Sequence, residues 1–226
     1  YVQQERGIVT DQNLVTDTTA YSFKQEISIH EPYQLDSLQP VFLIPIGQKD
    51  KKTKRIEYIN AGIGFSNSSF SKDYYYSSFS GLYNNFVFVD YTKEVRIPVF
   101  NSKIALTDWA YMKINDKKLV LFKGTDSDTN KDGRLNDDDF QSLYVFDIQK
   151  QEIKELSFKN QTVLNFEPLK MTSKIYVRTG KDINNDKTFN YSKEPSDLYL
   201  YDVESGESEA MVPEELKIKI QEILSK

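Results

Sequence analysis

Cysteine is absent from this 226-residue chain, and histidine occurs once, as His30. The lack of cysteine excludes disulfides, thiolate metal sites and a cysteine nucleophile. A Ser-His-Asp triad would have to run through His30, yet Ile27-Ser28-Ile29-His30-Glu31 reads as the end of an alternating strand. The chain has no Gly-x-Ser-x-Gly elbow, no His-Glu-x-x-His pattern and no phosphate-cradling glycine loop. Long apolar runs are missing too, so no segment reaches the roughly 18 residues that a membrane-spanning helix needs. Basic residues do not cluster: 29 Lys and Arg stand against 34 Asp and Glu, a net charge of −5, which argues against nucleic acid as a partner. The lysine-rich stretch 49–55 is short and reads as a solvated hairpin turn. Abundant acids leave two-carboxylate glycoside hydrolysis open on composition, but the pattern as a whole favours a non-enzymatic chain.

Aromatic residues are plentiful, with 15 Tyr and 14 Phe. They alternate with β-branched residues, which favours strands over helices. The expected fold class is all-β, built from antiparallel blade-like repeats that form a partial or small propeller, or alternatively a β-sandwich. A short C-terminal helix is expected over 213–226. Pro213 suits its first position, Glu214 and Glu215 suit its positive end, and Leu216, Ile220, Ile223 and Leu224 fall on one face. That face is expected to pack on a sheet edge.

The stretch Asp128-Thr129-Asn130-Lys131-Asp132-Gly133-Arg134-Leu135-Asn136-Asp137-Asp138-Asp139 carries the clearest chemistry. Calcium is a hard cation that takes about 6–8 oxygen ligands, and twelve-residue loops supply them from positions 1, 3, 5, 7, 9 and 12. Those positions are Asp128, Asn130, Asp132, the Arg134 carbonyl, Asn136 and Asp139. Gly133 stands at position 6, where the chain must turn sharply. Asp in place of the usual Glu at position 12 is shorter by one methylene, which predicts a looser or more hydrated site. The loop resembles the EF-hand type, and within it the dockerin pattern Asp-x-Asn-x-Asp-Gly-x-Leu-Asn-x-x-Asp followed by an apolar residue, here Phe140. The resemblance implies bound Ca2+. It covers the loop alone, because strands replace the flanking helices: Lys118-Leu119-Val120-Leu121-Phe122 before and Leu143-Tyr144-Val145-Phe146-Asp147-Ile148 after. A cohesin-binding role, which depends on those helices, does not carry over.

The loop belongs to a repeat. Leu198-Tyr199-Leu200-Tyr201-Asp202-Val203 echoes 143–148 at an offset of 55, and Phe86-Val87-Phe88-Val89-Asp90-Tyr91 stands 57 residues before it. Between Ile175-Tyr176-Val177-Arg178 and 198–203 lies a decayed loop with Asp182, Asn184 and Asp186, Lys187 in place of glycine, and Asn190. Its triplet is offset by 54 and its strands by 55, so one residue has been inserted and Glu194 aligns with Asp139. Asp182, Asn184, Asp186, Asn190 and Glu194 form a possible second metal site, with Asp197 as a further oxygen donor. The strand–loop–strand–turn–strand unit resembles the blades of TolB-like and WD40-like propellers, carried by Asp197-Leu198-Tyr199-Leu200-Tyr201-Asp202-Val203-Glu204-Ser205-Gly206-Glu207 and its partner at 142–151. Units are expected near 35–100, 110–158 and 165–212 within a β-repeat domain spanning 22–212, with 22–50 as a possible further unit. Residues 1–21 form an N-terminal extension or a first strand through Gly7-Ile8-Val9-Thr10.

An aromatic, serine-rich segment, 62–85, splits the first unit where the later units carry their acidic loops. Tyr74, Tyr75 and Tyr76 are candidate ligand-binding residues there, for a glycan or a protein, unless the aromatics pack over the core. Two sequons begin at Asn67 and Asn160. The start at Tyr1 rather than Met points to a mature or trimmed product and leaves room for a removed leader, and the polar segment 1–19 suits the tether of a secreted or lipid-anchored protein. Weak calcium sites fill outside the cell, at about 10⁻⁴–10⁻³ M, so a periplasmic, cell-surface or secreted location is expected. The function expected is binding or adhesion through an unidentified protein or glycan, with a carbohydrate-binding or carbohydrate-active domain as the alternative.

Overall fold

The structure is a computed structural model that describes residues 7–10, 27–48, 68–69, 74–169 and 172–225. Its elements are β1 (Ile8–Val9), β2 (Ile27–Ile29), β3 (Tyr33–Gln34), β4 (Val41–Gln48), β5 (Ser68–Ser69), β6 (Tyr74–Tyr83), β7 (Asn85–Asp90), β8 (Val95–Pro98) and β9 (Ala105–Ile114). There follow β10 (Lys117–Thr125), β11 (Arg134–Leu135), β12 (Ser142–Asp147), β13 (Glu152–Leu156), β14 (Gln161–Pro168), β15 (Lys174–Lys181), β16 (Ser196–Asp202), β17 (Ser208–Ala210) and α1 (Glu214–Leu224). The fold is all-β with one short C-terminal helix, as the alternating aromatics predict. The lysine-rich stretch at 49–55 lies outside the described residues.

Three antiparallel meanders carry the architecture. The first sheet runs β2-β4-β7-β8, with β3 also on β4; the third runs β14-β15-β16-β17. Between them the central sheet runs β13-β12-β10-β9-β6-β5. Each meander has four main strands in chain order, though in the first β5 and β6 intervene between β4 and β7 and widen the central sheet instead. Among the described residues no sheet closes into a barrel. Residues 27–48 do not make the further unit that 22–50 offered as one possibility: β4 pairs with β7 from Val41↔Asp90 to Ile46↔Asn85, which makes them half of the first sheet.

Alternation along β10 explains its apolar run. Val120 and Phe122 join a core with Leu43, Phe86 and Phe88 of the first sheet and Trp109, Tyr144 and Phe146 of the central one. Leu119 and Leu121 point the other way, into a second core with Leu143, Val145, Ile175, Val177 and Tyr201. A strand buried on both faces reads as continuous apolar sequence, because neither register position can be polar.

The three hairpins after the recurring strands share one turn. Asp90, Asp147 and Asp202 each accept, through Oδ1, the amide two residues on, from Thr92, Gln149 and Glu204 at 2.9, 2.9 and 2.8 Å. The residue four places on is left-handed in every case: Glu94 at φ 56°, Gln151 at 59° and Gly206 at 74°. An Asp side chain that imitates a backbone turn favours this geometry locally.

Helix α1 forms where expected, but the packing expectation is corrected. None of its residues is buried, and Ile223 and Leu224 are 62% and 75% exposed. The reason lies in the edge it would cover: Ser208, Glu209 and Ala210 of β17 are all exposed and offer little apolar surface. Lys217 ties the helix to the sheet through Asp197 at 2.5 Å.

Substitution tests follow from the two-sided core. Phe122→Ala should cost about 3–5 kcal/mol and Leu121→Ala about 2–5 kcal/mol, whereas Ile153→Ala, on a half-open edge, should stay within about 0.5 kcal/mol. Denaturant unfolding measures all three. A second test concerns acid. Lys118 on β10 donates to Asp36 in the β3–β4 connection, and that hydrogen bond holds the Asp36 carboxyl below its usual 3.8. The stabilisation is complete above 3.8 and fades as pH falls through the lowered value. Asp36→Asn should flatten the acid limb of the stability profile below pH 3.8 and leave its shape at neutral pH unchanged.

Candidate metal centre

The 128–139 loop connects β10 to β12 at one end of the central sheet. Asx turns shape it from within. Asn130 Oδ1 accepts the Asp132 amide at 2.9 Å, Asp132 Oδ1 the Arg134 amide at 2.9 Å, and Asn136 Oδ1 the Asp138 amide at 2.7 Å. Asp128 accepts from two amides, Oδ1 from Asp132 at 3.1 Å and Oδ2 from Gly133 at 2.8 Å. Gly133 has φ +79° and Lys131 φ +63°, so the sharp turn falls where the spacing placed it. Asp137 and Asp138 sit in a turn.

Asp139 closes the loop and is 2% exposed. Its Oδ1 accepts the Thr129 amide at 2.7 Å and the Asn130 amide at 3.3 Å, and its Oδ2 the Asn136 amide at 3.1 Å. Burial pushes its carboxyl upward, and the amides that pull it down do not fully compensate. A carboxylate in that state gains from positive charge placed beside it. Among the described residues, no three His, Cys, Asp or Glu side chains converge as a group that could hold a metal ion. The donors of this loop are instead side-chain oxygens of mixed origin, carboxylate and amide, turned onto loop amides. Hard oxygen donors of this kind fit calcium and not a soft metal.

Two supports for the loop carry no signal in its spacing. Gln141, 6% exposed, donates through Nε2 to the carbonyls of Asn136 at 3.0 Å and Asp139 at 2.9 Å. Its backbone reaches β14, accepting from Val163 and donating to Thr162 Oγ1 at 2.9 Å. The N-terminal segment is a strand, the second of the two options open for it: β1 pairs with β11 inside the loop, Ile8 opposite Leu135. Ile8, Ala105 and Leu135 form a small apolar cluster beneath it. A side chain on Gly7 would stand 2.7 Å from the Leu135 carbonyl, so the close approach requires glycine.

The 182–194 loop repeats the scheme between β15 and β16. Asp182 Oδ2 accepts the Lys187 amide at 3.2 Å, Asn184 Oδ1 the Asp186 amide at 3.0 Å, Asp186 Oδ1 the Thr188 amide at 2.9 Å and Asn190 Oδ1 the Ser192 amide at 3.0 Å. Glu194 closes it from the position one residue later. Its Oε1 accepts the Ile183 amide at 3.0 Å and its Oε2 the Asn190 amide at 2.8 Å, the counterparts of Thr129 and Asn136. Asp197 stands outside this set, since Lys217 engages it.

The aromatic segment separates into parts. Residues 74–83 of it form a strand, β6, which pairs with β9 from Tyr74↔Ile114 to Tyr83↔Leu106. Phe79 stacks on Trp109 at 4.1 Å, and Tyr83 is buried against Phe86. Those two serve the core. The side chains of Tyr74, Tyr75 and Tyr76, and the sequon at Asn67, lie outside the described residues. Asn160 accepts the Asp182 amide at its carbonyl. His30 is an exposed strand-end residue set edge-on to Tyr83 at 5.8 Å.

Gln141→Ala would orphan two buried carbonyls, at about 1–3 kcal/mol each. Denaturant unfolding should register the loss, and the amides of Thr129 and Asn130 should exchange faster than in wild type.

No family model, curated protein or solved structure matches this chain.

Proposed function

We propose that the chain is an exported, non-enzymatic β-repeat domain, braced by calcium at the 128–139 loop and used for binding or adhesion. The observation behind this reading is the register of oxygens in that loop. Side chains at positions 1, 3, 5, 9 and 12 turn oxygens onto loop amides, Asp128 and Asp139 with both and the other three with one, which fixes their orientation and leaves further lone pairs for a cation. Asp128, Asn130, Asp132, Asn136 and Asp139 would hold the ion together with the Arg134 carbonyl. Calcium would neutralise carboxylates that otherwise repel one another, and its binding energy would add to folding energy. The role is structural and not that of a switch, because rigid strands flank the loop on both sides. Four-stranded meanders stacked face to face support the likeness to propeller blades, and a loop closed by Asp in place of Glu suits the weak sites that fill outside the cell, in a periplasmic, cell-surface or secreted setting.

Melting curves with calcium and with a chelator test the reading. At a hundredfold excess over Kd, one site adds about 2.7 kcal/mol, which raises Tm by about 5–10 °C in a chain of this size. Asp132→Ala should lose most of the contribution of this loop. An unmoved midpoint, or an Asp132→Ala protein that responds as wild type does, overturns it.

A further inference from the structure

We infer that the 182–194 loop is a second cation site, for a hard divalent ion of the calcium type. The inference rests on the calcium reading of the first loop for the identity of the ion, but its own observation is independent. Asp182 is 4% exposed, and its Oδ1 is buried without a hydrogen-bond partner. The other oxygen, Oδ2, is held by the Lys187 amide at the loop's turn, so the carboxylate faces the loop interior. A buried carboxylate oxygen with no donor is costly unless positive charge meets it. The same loop carries Asn184, Asp186, Asn190 and Glu194, hard oxygen donors that accept loop amides in the register already described.

Two features of the sequence argued against this site, and the structure answers both. Lys187 occupies the glycine position, yet its backbone takes φ +66°, close to the +79° of Gly133. Its ammonium is drawn away from the loop, over the Phe140 ring at 5.9 Å, next to the first loop. Lys193 stands at position 12 by simple counting, but it is exposed, and Glu194 takes the closing hydrogen bonds in its place. Glu restores the methylene that Asp139 lacks, so the second loop closes with the longer carboxylate despite its extra residue.

Calorimetric titration of the full chain with calcium, after chelator treatment, tests the assignment. Wild type should show two binding events. Asp182→Asn, which keeps an acceptor for the Lys187 amide, and Glu194→Gln should each weaken one of them by roughly 10–100-fold or more, while Lys193→Ala should leave both. Circular dichroism confirms that each variant remains folded. A single event that survives Asp182→Asn and disappears in Asp132→Ala overturns the second site and leaves the first standing. A single event with the opposite behaviour removes the first and keeps the second. Equal losses from Glu194→Gln and Lys193→Ala overturn the inference, as does the absence of any binding heat.

Discussion

Val120 and Phe122 of β10 pack toward the first sheet, while Leu119 and Leu121, one residue out of phase, pack toward the third. This two-sided burial of the central sheet is the constraint on which the rest depends. It fixes the register of β9, β10 and β12, because a slip of one residue would exchange the two cores. It also leaves the loops at the strand ends as the places where acidic side chains can gather without burial in an apolar layer. Both acidic loops join the second strand of a meander to its third. The insert of the first meander leaves at the same point, but as the β5–β6 hairpin that extends the central sheet.

Within the loops, the ordering force is the backbone's need for acceptors. A twelve-residue connection has few partners in a sheet, so its amides turn to Asp and Asn side chains. The same turn to side chains sets the orientation of the oxygens. Gln141 then ties the first loop to β14, whose neighbour β15 leads directly into the second. The two loops are therefore joined through buried hydrogen bonds and through Lys187 over Phe140, not merely placed side by side.

Much of this was legible in the residues. The strand-end Asp recurring at 90, 147 and 202 marked three hairpins, and each has the same turn. The one-residue offset between the acidic triplet and its strands placed Glu194 opposite Asp139, and the hydrogen bonds have that correspondence. Other elements were not legible. The Tyr- and Ser-rich segment at 74–83 alternates as a strand does, but nothing in it names β9 as its partner. Helix α1 has an apolar face by periodicity, but whether a face is covered depends on the surface opposite, and β17 offers Ser208, Glu209 and Ala210.

The sequence by itself determined the alternation that marks most strands, the hairpin turns and the oxygen spacing of both loops, because each is a pattern among residues within a few positions of one another. Tertiary structure alone decided the rest. It seated Ile8 opposite Leu135, pointed Gln141 at the loop carbonyls, sent Phe79 and Tyr83 into the core and left Asp182 with one unpartnered oxygen. These outcomes depend on which surfaces meet across long stretches of chain. Local propensity does not encode such meetings; burial and complementary shape select them once the sheets stack.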